Sequence, residues 1–391
     1  MLFDRFRKAK KNPAMVAPAE LINGNPAFSA WGGSAWQNDI YRSGVDAIAR
    51  HAAKLKGAYI IQSGEIRTPA NDRLNRILQI SPNPYMNAYD FLYKVVTHLF
   101  LYNNSFVFLQ RDNGTVAGIY PLNPQRVEFM TDATGEMFVK FYFDKGKTVV
   151  LPYADIVHLR RNFNANDMLG DDNAALEPAL ELADTQNNGI INGIKSSANI
   201  RGILRYTQIM APETLKRERD AFVADYLSIN NSGGVVVTDS KSEYTPLEIK
   251  PATIDAEQIG AAAAKIYNYL GISDKIVNAT YSENEFGAFA ESVIEPIALQ
   301  LGLEFTRKVF TEREIAFGNQ IVFDGSRLQF SSNATKVNTI KELVPYGLLT
   351  INQALAILNL PAVEDGDKRL QALNMIDAAN AAAYQTGANG E

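Results

Sequence analysis

The chain has 391 residues, 46% of them hydrophobic and 21% charged, with a formal net charge of −5. This length predicts two or three domains rather than a single core. The slightly acidic balance argues against a uniformly basic surface that coats nucleic acid, and the absence of cysteine excludes disulfides and zinc–cysteine sites and suits a reducing cytoplasm.

The N-terminal segment is basic and has no helical or strand period. Five Lys or Arg side chains lie within residues 1–11, but Pro, Ala, Gly and Asn follow them instead of an apolar stretch, so no signal peptide is predicted. With Trp31 and Trp36 among prolines and glycines, residues 1–39 predict an extended arm that either wraps onto a neighbouring subunit or packs on its own domain. No apolar run approaches the roughly 18 residues of a membrane span, so no membrane contact is predicted.

Helices are predicted first. Apolar residues spaced by four and three predict a helix from Tyr41 to about Gly57. A short helix around residues 74–78 stops at the Ser-Pro-Asn-Pro of 81–84, and a third is capped by Asn87 and ends at the Asn pair 103–104.

The next residues change to the period of strands. Apolar runs are found at 106–110, 127–130, 137–143 and 148–151. The turn signals between them at 112–114, 132–135 and 144–146 supply residues that tolerate positive φ, which favours antiparallel hairpins. Helices followed by antiparallel strands make the predicted fold class α+β.

The second half returns to helices around a small insert. A long helix is predicted over 174–199. The insert then holds a helix at 212–228, a loop at 230–234 and strands at 235–238 and 244–249. Asp255 caps a further helix that ends at Gly271.

A polar, turn-like segment, ISDKIVNATYSENE at 272–285, precedes a long helix at 286–310. A strand at 320–330, C-terminal helices and a disordered tail at 378–391 are predicted to complete the chain.

Motifs of catalysis are missing from the sequence. The Gly-Lys-Thr at 146–148 has Phe141 where a P-loop needs glycine, and neither a G-x-S-x-G elbow nor a thiol is present. His51, His98 and His158 lie in separate predicted elements, where packed histidines are expected. Pairs of acidic residues could bind magnesium, but such pairs are typical of helix termini and solvated faces. We therefore predict no catalytic residue, metal or cofactor.

The C-terminal run at 346–367 predicts a compact helical hairpin. Gly347 is predicted to stop one helix and Thr350 to cap the next, which buries Leu355 and Leu358. An acidic glycine turn follows Pro361.

This run also resembles the "G-(M/L)-T-x-N-E … L-x-x-P-V-x-x-G-D" ending of compact tailed-bacteriophage portal proteins. Five upstream segments resemble the family's motifs in the family's order: SPNPYM at 81–86, NNSF at 103–106, YPLNP at 120–124, DIVH at 155–158 and NYLGIS at 268–273. The sequence departs from the family at Asn103, Ser273 and Gln353.

The resemblance implies a dodecameric ring at one capsid vertex of a virion, made in the host bacterial cytoplasm. Double-stranded DNA would pass through it without sequence reading, and terminase large subunit, major capsid and scaffold protein and a head-completion adaptor would be its partners. The domains implied are a wing at 40–170 with a return strand at 318–335, stem helices at 171–199 and 253–271, a clip at 200–252, a tunnel loop at 272–285, a tunnel helix at 286–317 and crown-like helices at 336–377.

Two groups of residues are candidate sites under this resemblance. Lys275, Asn278, Glu283 and Glu285 would line the DNA channel, unless they are ordinary solvated loop charges. Asn230, Asn231 and Ser232 in the clip would dock terminase or the adaptor. Two alternative functions are another ring-forming head-to-tail connector or scaffold, and a magnesium-dependent nuclease suggested by scattered carboxylates.

Overall fold

The structure is a computed structural model with two compact units, one formed by Met1–Ala175 with Tyr267–Glu391 and the other by Leu176–Ile266. It describes residues 35–64, 66–70, 72–199, 202–206, 209–226, 242–246, 256–324, 333–358 and 360–371. Several predicted features lie outside these residues, namely the arm over 1–34, the loop at 230–234, the strand at 235–238, the Asp255 cap and the tail at 378–391.

Three capped helices open the first unit: α1 (Asp39–Ala52), α2 (Arg73–Gln79) and α3 (Ala88–Tyr102). The predicted cap is confirmed, since the Asn87 side chain accepts a hydrogen bond from Asp90 N at 2.8 Å. Asn103, just after α3, has φ 51°, the left-handed conformation in which asparagine can replace glycine.

The first helix is shorter than predicted. It ends at Ala52 because residues from Lys56 onward form strand β1 (Lys56–Ser63), which pairs with β2 (Ile66–Pro69) and with β11 (Asn319–Asp324) in an antiparallel sheet of order β11-β1-β2. The prediction of helix as far as Gly57 was therefore wrong. The register places Lys56 opposite Asp324, so the partner strand is remote in sequence and local periodicity could not indicate it.

The hairpin region forms two antiparallel sheets, of orders β4-β3-β8 and β5-β6-β7. Their strands are β3 (Asn104–Asp112), β4 (Thr115–Leu122), β5 (Arg126–Thr131), β6 (Met137–Tyr142), β7 (Thr148–Pro152) and β8 (Ile156–Arg160). Phe106, Phe141 and Ile156 are fully buried in the core that joins them. The α+β prediction is confirmed.

The second unit contains α4 (Glu177–Asn199), β9 (Gly202–Tyr206), α5 (Pro212–Tyr226), β10 (Ser242–Pro246) and most of α6 (Ala256–Leu270). A short 3₁₀ turn at Ala174–Leu176 precedes α4, so the predicted helix is found over its full range. Strands β9 and β10 form an antiparallel pair. The sequence did not predict β9.

The remainder of the first unit is mainly helical. Its elements are α7 (Asp274–Val277), α8 (Glu283–Val309), α9 (Glu312–Ala316), α10 (Asn333–Leu343), β12 (Tyr346–Thr350), α11 (Ile351–Ile357) and β13 (Arg369–Gln371). Among the helices of the described residues, α8 is long and apolar enough to cross a membrane. Ile297, Leu301 and Phe305 of α8 are buried, as in a core helix.

The C-terminal run contains a strand that the sequence did not indicate. Gly347 lies within β12 with φ 68°, instead of ending a helix, and β12 pairs with β13. Thr350 caps α11 in a capping box with Gln353, so glutamine replaces the family's glutamate without loss of the motif. Leu355 and Leu358 are only half-buried, contrary to the prediction.

The side chain of Asn352 contacts the Gly366-Asp367 pair at the end of this run. Its amide donates to Asp367 Oδ1 at 2.9 Å, and its side-chain oxygen accepts from Val363 N at 2.9 Å. A Cβ on residue 366 would lie 2.1 Å from Asn352 Oδ1, so a larger residue there would displace the Asn352 amide from these hydrogen bonds.

Candidate functional site

The segment after α6 is held in place by its own backbone. Gly271 has φ 77°, which ends α6 as predicted, and Ile272 N then donates to Tyr267 O at 3.0 Å. Ile272 and Ile276 are buried, so two apolar anchors fix a segment whose remaining side chains are mostly exposed.

Arg50 of α1 holds the short helix α7. Its guanidinium donates to Ile276 O at 3.3 Å and to Val277 O at 3.1 Å, and it forms an ion pair with Asp46 at 3.4 Å. A cation at a helix C-terminus satisfies carbonyls that lack a partner and complements the helix dipole. The segment is therefore attached to α1.

Lys275 and Glu285 form an ion pair within this segment. Glu285 also closes a capping box, because its second carboxylate oxygen accepts from Ser282 N at 2.8 Å and from Ser282 Oγ at 2.9 Å. The Lys275 ammonium and these Ser282 donors lower the pKa of Glu285 to about 2. The hydrogen bond to Glu285 raises the pKa of Lys275, so both groups are charged at neutral pH and their charges offset each other.

The other predicted channel residues lie close by. Asn278 is exposed at the C-terminal end of α7, where its N–H donates to Asp274 O at 2.9 Å. Glu283 is exposed in the first turn of α8, because the Ser282 cap starts this helix before the predicted Phe286. The prediction followed apolar periodicity, which misses a polar first turn. The predicted docking residues Asn230, Asn231 and Ser232 lie outside the described residues.

An aromatic cluster supports the start of α8. The His51 ring contacts those of Phe286, Phe289 and Tyr281, with centroids 5.2, 5.7 and 6.2 Å away. Burial, with a smaller effect of Lys54, lowers the pKa of His51 to about 4. This histidine is neutral and packed at pH 7.

Helix α8 widens near its middle. A π-helical stretch, Ala290–Ile294, separates two α-helical stretches, Glu283–Phe289 and Glu295–Val309. Pro296 follows this stretch and has no N–H to donate, so a regular α-helix would leave a carbonyl unpaired there. The wider turn accommodates the proline within one continuous helix.

A network of polar residues holds the end of α6 against the end of α3, and the sequence did not indicate most of it. Asn173 Oδ1 accepts from Asn103 Nδ2 and from Tyr269 Oη, both at 2.8 Å. Arg161 donates to Tyr269 O at 2.7 Å, and its guanidinium lies 4.7 Å from the Phe100 ring centroid. Asn103 was noted as a motif residue, but neither Arg161 nor Asn173 belongs to a spacing pattern that a sequence could reveal.

His158 is a packed histidine as expected. It is fully buried, stacks on Phe106 with centroids 4.3 Å apart, and makes a 3.1 Å hydrogen bond to Asn104 Oδ1. Burial holds its pKa well below the usual range. Across the described part of the chain, no group of three or more His, Asp or Glu side chains is arranged to hold a metal ion.

Comparison with known families gives the identity of this fold. A sequence model of the family described as "Phage portal protein" matches residues 39–359, which is most of the chain. The chain belongs to the phage portal protein family. Its role is that of a portal, the channel through which double-stranded DNA is packaged and ejected, and the family is a structural class.

Known relatives agree over nearly the whole portal chain. Probable portal proteins of Lactococcus phage p2 and Lactococcus phage SK1 are each 21% identical over 369 residues, covering 89% of this chain and 89% of the relative. A chain from the neck of an empty gene transfer agent (GTA) particle, computed with C6 symmetry, has a TM-score of 0.63 at 16% identity, covering 87% of this chain and 96% of its own. A chain from the native GTA neck, computed with C12 symmetry, has a TM-score of 0.61 at 15% identity with the same coverage.

Proposed function

We propose that twelve copies of this portal chain form a closed ring at one vertex of a capsid. The observation that carries the proposal is the fold shared with a chain of the native GTA neck computed with C12 symmetry. The ring would be made in the host cytoplasm, join major capsid and scaffold protein, and have no catalytic activity of its own.

The proposed parts of the ring follow the order of elements along the chain. Helices α4 and α6 are the stem, and the β9, α5 and β10 region between them is the clip that docks terminase large subunit and later the adaptor. The compact unit Leu176–Ile266 supports this reading, because the stem and clip would need to act as one body. The wing is 40–170 with 318–335, and the crown-like end is 336–377.

The proposed channel lining is Lys275, Asn278, Glu283 and Glu285. Every tight phosphate contact adds salt-dependent affinity and would hold a moving duplex. The Lys275–Glu285 ion pair supports a lining that lets DNA slide, because it leaves the lysine partly neutralised in each copy.

Electron microscopy of the purified protein tests the ring. Closed rings with an axial hole wide enough for a duplex are expected, and a protein that stays monomeric at high concentration contradicts the proposal. Deleting 230–234 should abolish terminase docking in a pull-down while rings still form. Binding that survives the deletion would place the docking site elsewhere.

A further inference from the structure

One face of α8 is apolar and uncovered. Leu299 and Leu303 lie one turn apart with exposed fractions of 63% and 62%, whereas Ile297, Leu301 and Phe305 on the other side are buried. Neither leucine is packed in the core of the first unit. They are therefore available for contact with another molecule.

These leucines line a groove of about 1250 Å³ within the first unit. It is also lined by the end of the β1–β2 hairpin, by strand β11 and by Ile315 of α9. Glu291, Glu295 and Arg67 also line it, so the apolar floor has charges around it. An apolar centre with a polar rim is the usual composition of a protein–protein contact.

The composition of α8 points the same way. This helix is apolar enough to cross a membrane, yet less than half of its most apolar part is buried. A helix that is apolar on most sides is normally covered on most sides. Among the described residues of the first unit, Ile297, Leu301 and Phe305 of α8 are covered and Leu299 and Leu303 are not, which leaves the groove side for a partner.

We propose that this groove receives a second copy of the same chain and forms one half of the contact between neighbours in the ring. The inference rests on the proposed ring. In a cyclic ring every copy presents two different surfaces, and the first surface of each copy binds the second surface of its neighbour. A groove with exposed leucines suits the receiving surface, whereas a bilayer would have to bury the carboxylates of Glu291 and Glu295.

Cross-linking tests the contact directly, because the chain has no native cysteine. Leu303→Cys would be labelled with benzophenone maleimide, assembled and irradiated. Covalent dimers are expected in the ring fraction, with the adduct on a peptide of another copy. Leu348→Cys is the matched control, since Leu348 is 59% exposed but lies in β12, outside the groove. Rings that form with no dimer above this control would overturn the inference.

A charge introduced into the groove gives a second readout. Leu299→Glu with Leu303→Glu should lower the assembled fraction by on the order of tenfold or more at equal protein concentration, as expected for buried contact residues. The thermal unfolding of the monomer should be unchanged because both residues are exposed.

The outcomes separate the two proposals. A wild-type chain that forms no rings refutes the proposed function itself. Normal rings from the double-glutamate variant refute only the groove contact. Flotation of the wild type with phosphatidylcholine vesicles that is lost in the variant would assign the groove to a membrane instead and also overturn the inference.

Discussion

Lys275 and Glu285 are bonded to each other across the turn that joins α7 to α8. The same carboxylate caps α8 through Ser282, so the charge on Lys275 and the start of the helix depend on one side chain. In a ring, each repeated lysine would be accompanied by its own neutralising carboxylate.

Replacing Glu285 should leave the Lys275 ammonium without its ion-pair partner. Glu285→Ala is expected to spare ring assembly but to slow DNA packaging, because the freed ammonium can hold phosphates. Packaging velocity at several salt concentrations measures this effect. The Lys275→Ala/Glu285→Ala double variant is the control and should recover velocity. Equal slowing in both variants would mean that the lysine is not the cause.

The ion pair should also resist acid. The pKa of Glu285 is lowered to about 2 from an ordinary value near 4.5, so its stabilising effect is complete above pH 4.5, decreases as pH falls below that value and is gone below about pH 2. An NMR titration of the side-chain carboxyl carbon would measure this pKa directly. A midpoint near 4.5 would show that the pair is absent in solution.

The buried histidines should make the fold sensitive to mild acid. Burial, with a smaller effect of Lys94, lowers the pKa of His98 to about 4. Below about pH 6.5 the His98 side chain is therefore protonated in the unfolded chain but stays neutral in the folded chain. The free energy of unfolding decreases from that pH down to about pH 4, by up to about 1.4 kcal/mol per pH unit. Urea unfolding at several pH values measures the slope, which His98→Leu should reduce. An unchanged slope in that variant would contradict the assignment.

The polar network at Tyr269 should contribute measurably to stability. Tyr269→Phe removes the hydroxyl that donates to Asn173 Oδ1, and the expected cost is about 0.5–1.5 kcal/mol, the usual net value of one hydrogen bond, because Asn173 Oδ1 keeps its hydrogen bond from Asn103. Tyr85→Phe removes a hydroxyl from a side chain that is 57% exposed and should cost less than about 0.5 kcal/mol. Chemical denaturation of both variants compares them. Equal costs would show that the network is not stabilising.

Glycine is required where β11 approaches β1. A Cβ at Gly318 would lie 1.9 Å from Gln62 O, and φ is 86°. Gly114 has φ 85° but open space around it, so Gly114→Ala costs only the backbone strain of about 1–2 kcal/mol. Gly318→Ala should cost at least about 2 kcal/mol more, measured by thermal unfolding, because the backbone must move. A similar loss of stability in the two variants would mean that the backbone at this sheet edge moves at little cost.

Local chemistry was enough to predict many boundaries. The Asn87 and Thr350 caps and the helix ends at Asn103 and Gly271 are each set within a few residues, so spacing and residue type reveal them. The ordered motifs likewise indicate the portal family from the sequence.

What the sequence by itself determined about this protein is its α+β class, its family and most of its helices, because those signals are periodic or local. Only the tertiary structure decided that Lys56–Ser63 is a strand, that Lys275 is neutralised by Glu285 and that Arg161 meets Tyr269. Each of these joins residues that are separated along the chain. Their pairing depends on which surfaces fold together, and the free energy of that choice is not contained in any short stretch of sequence.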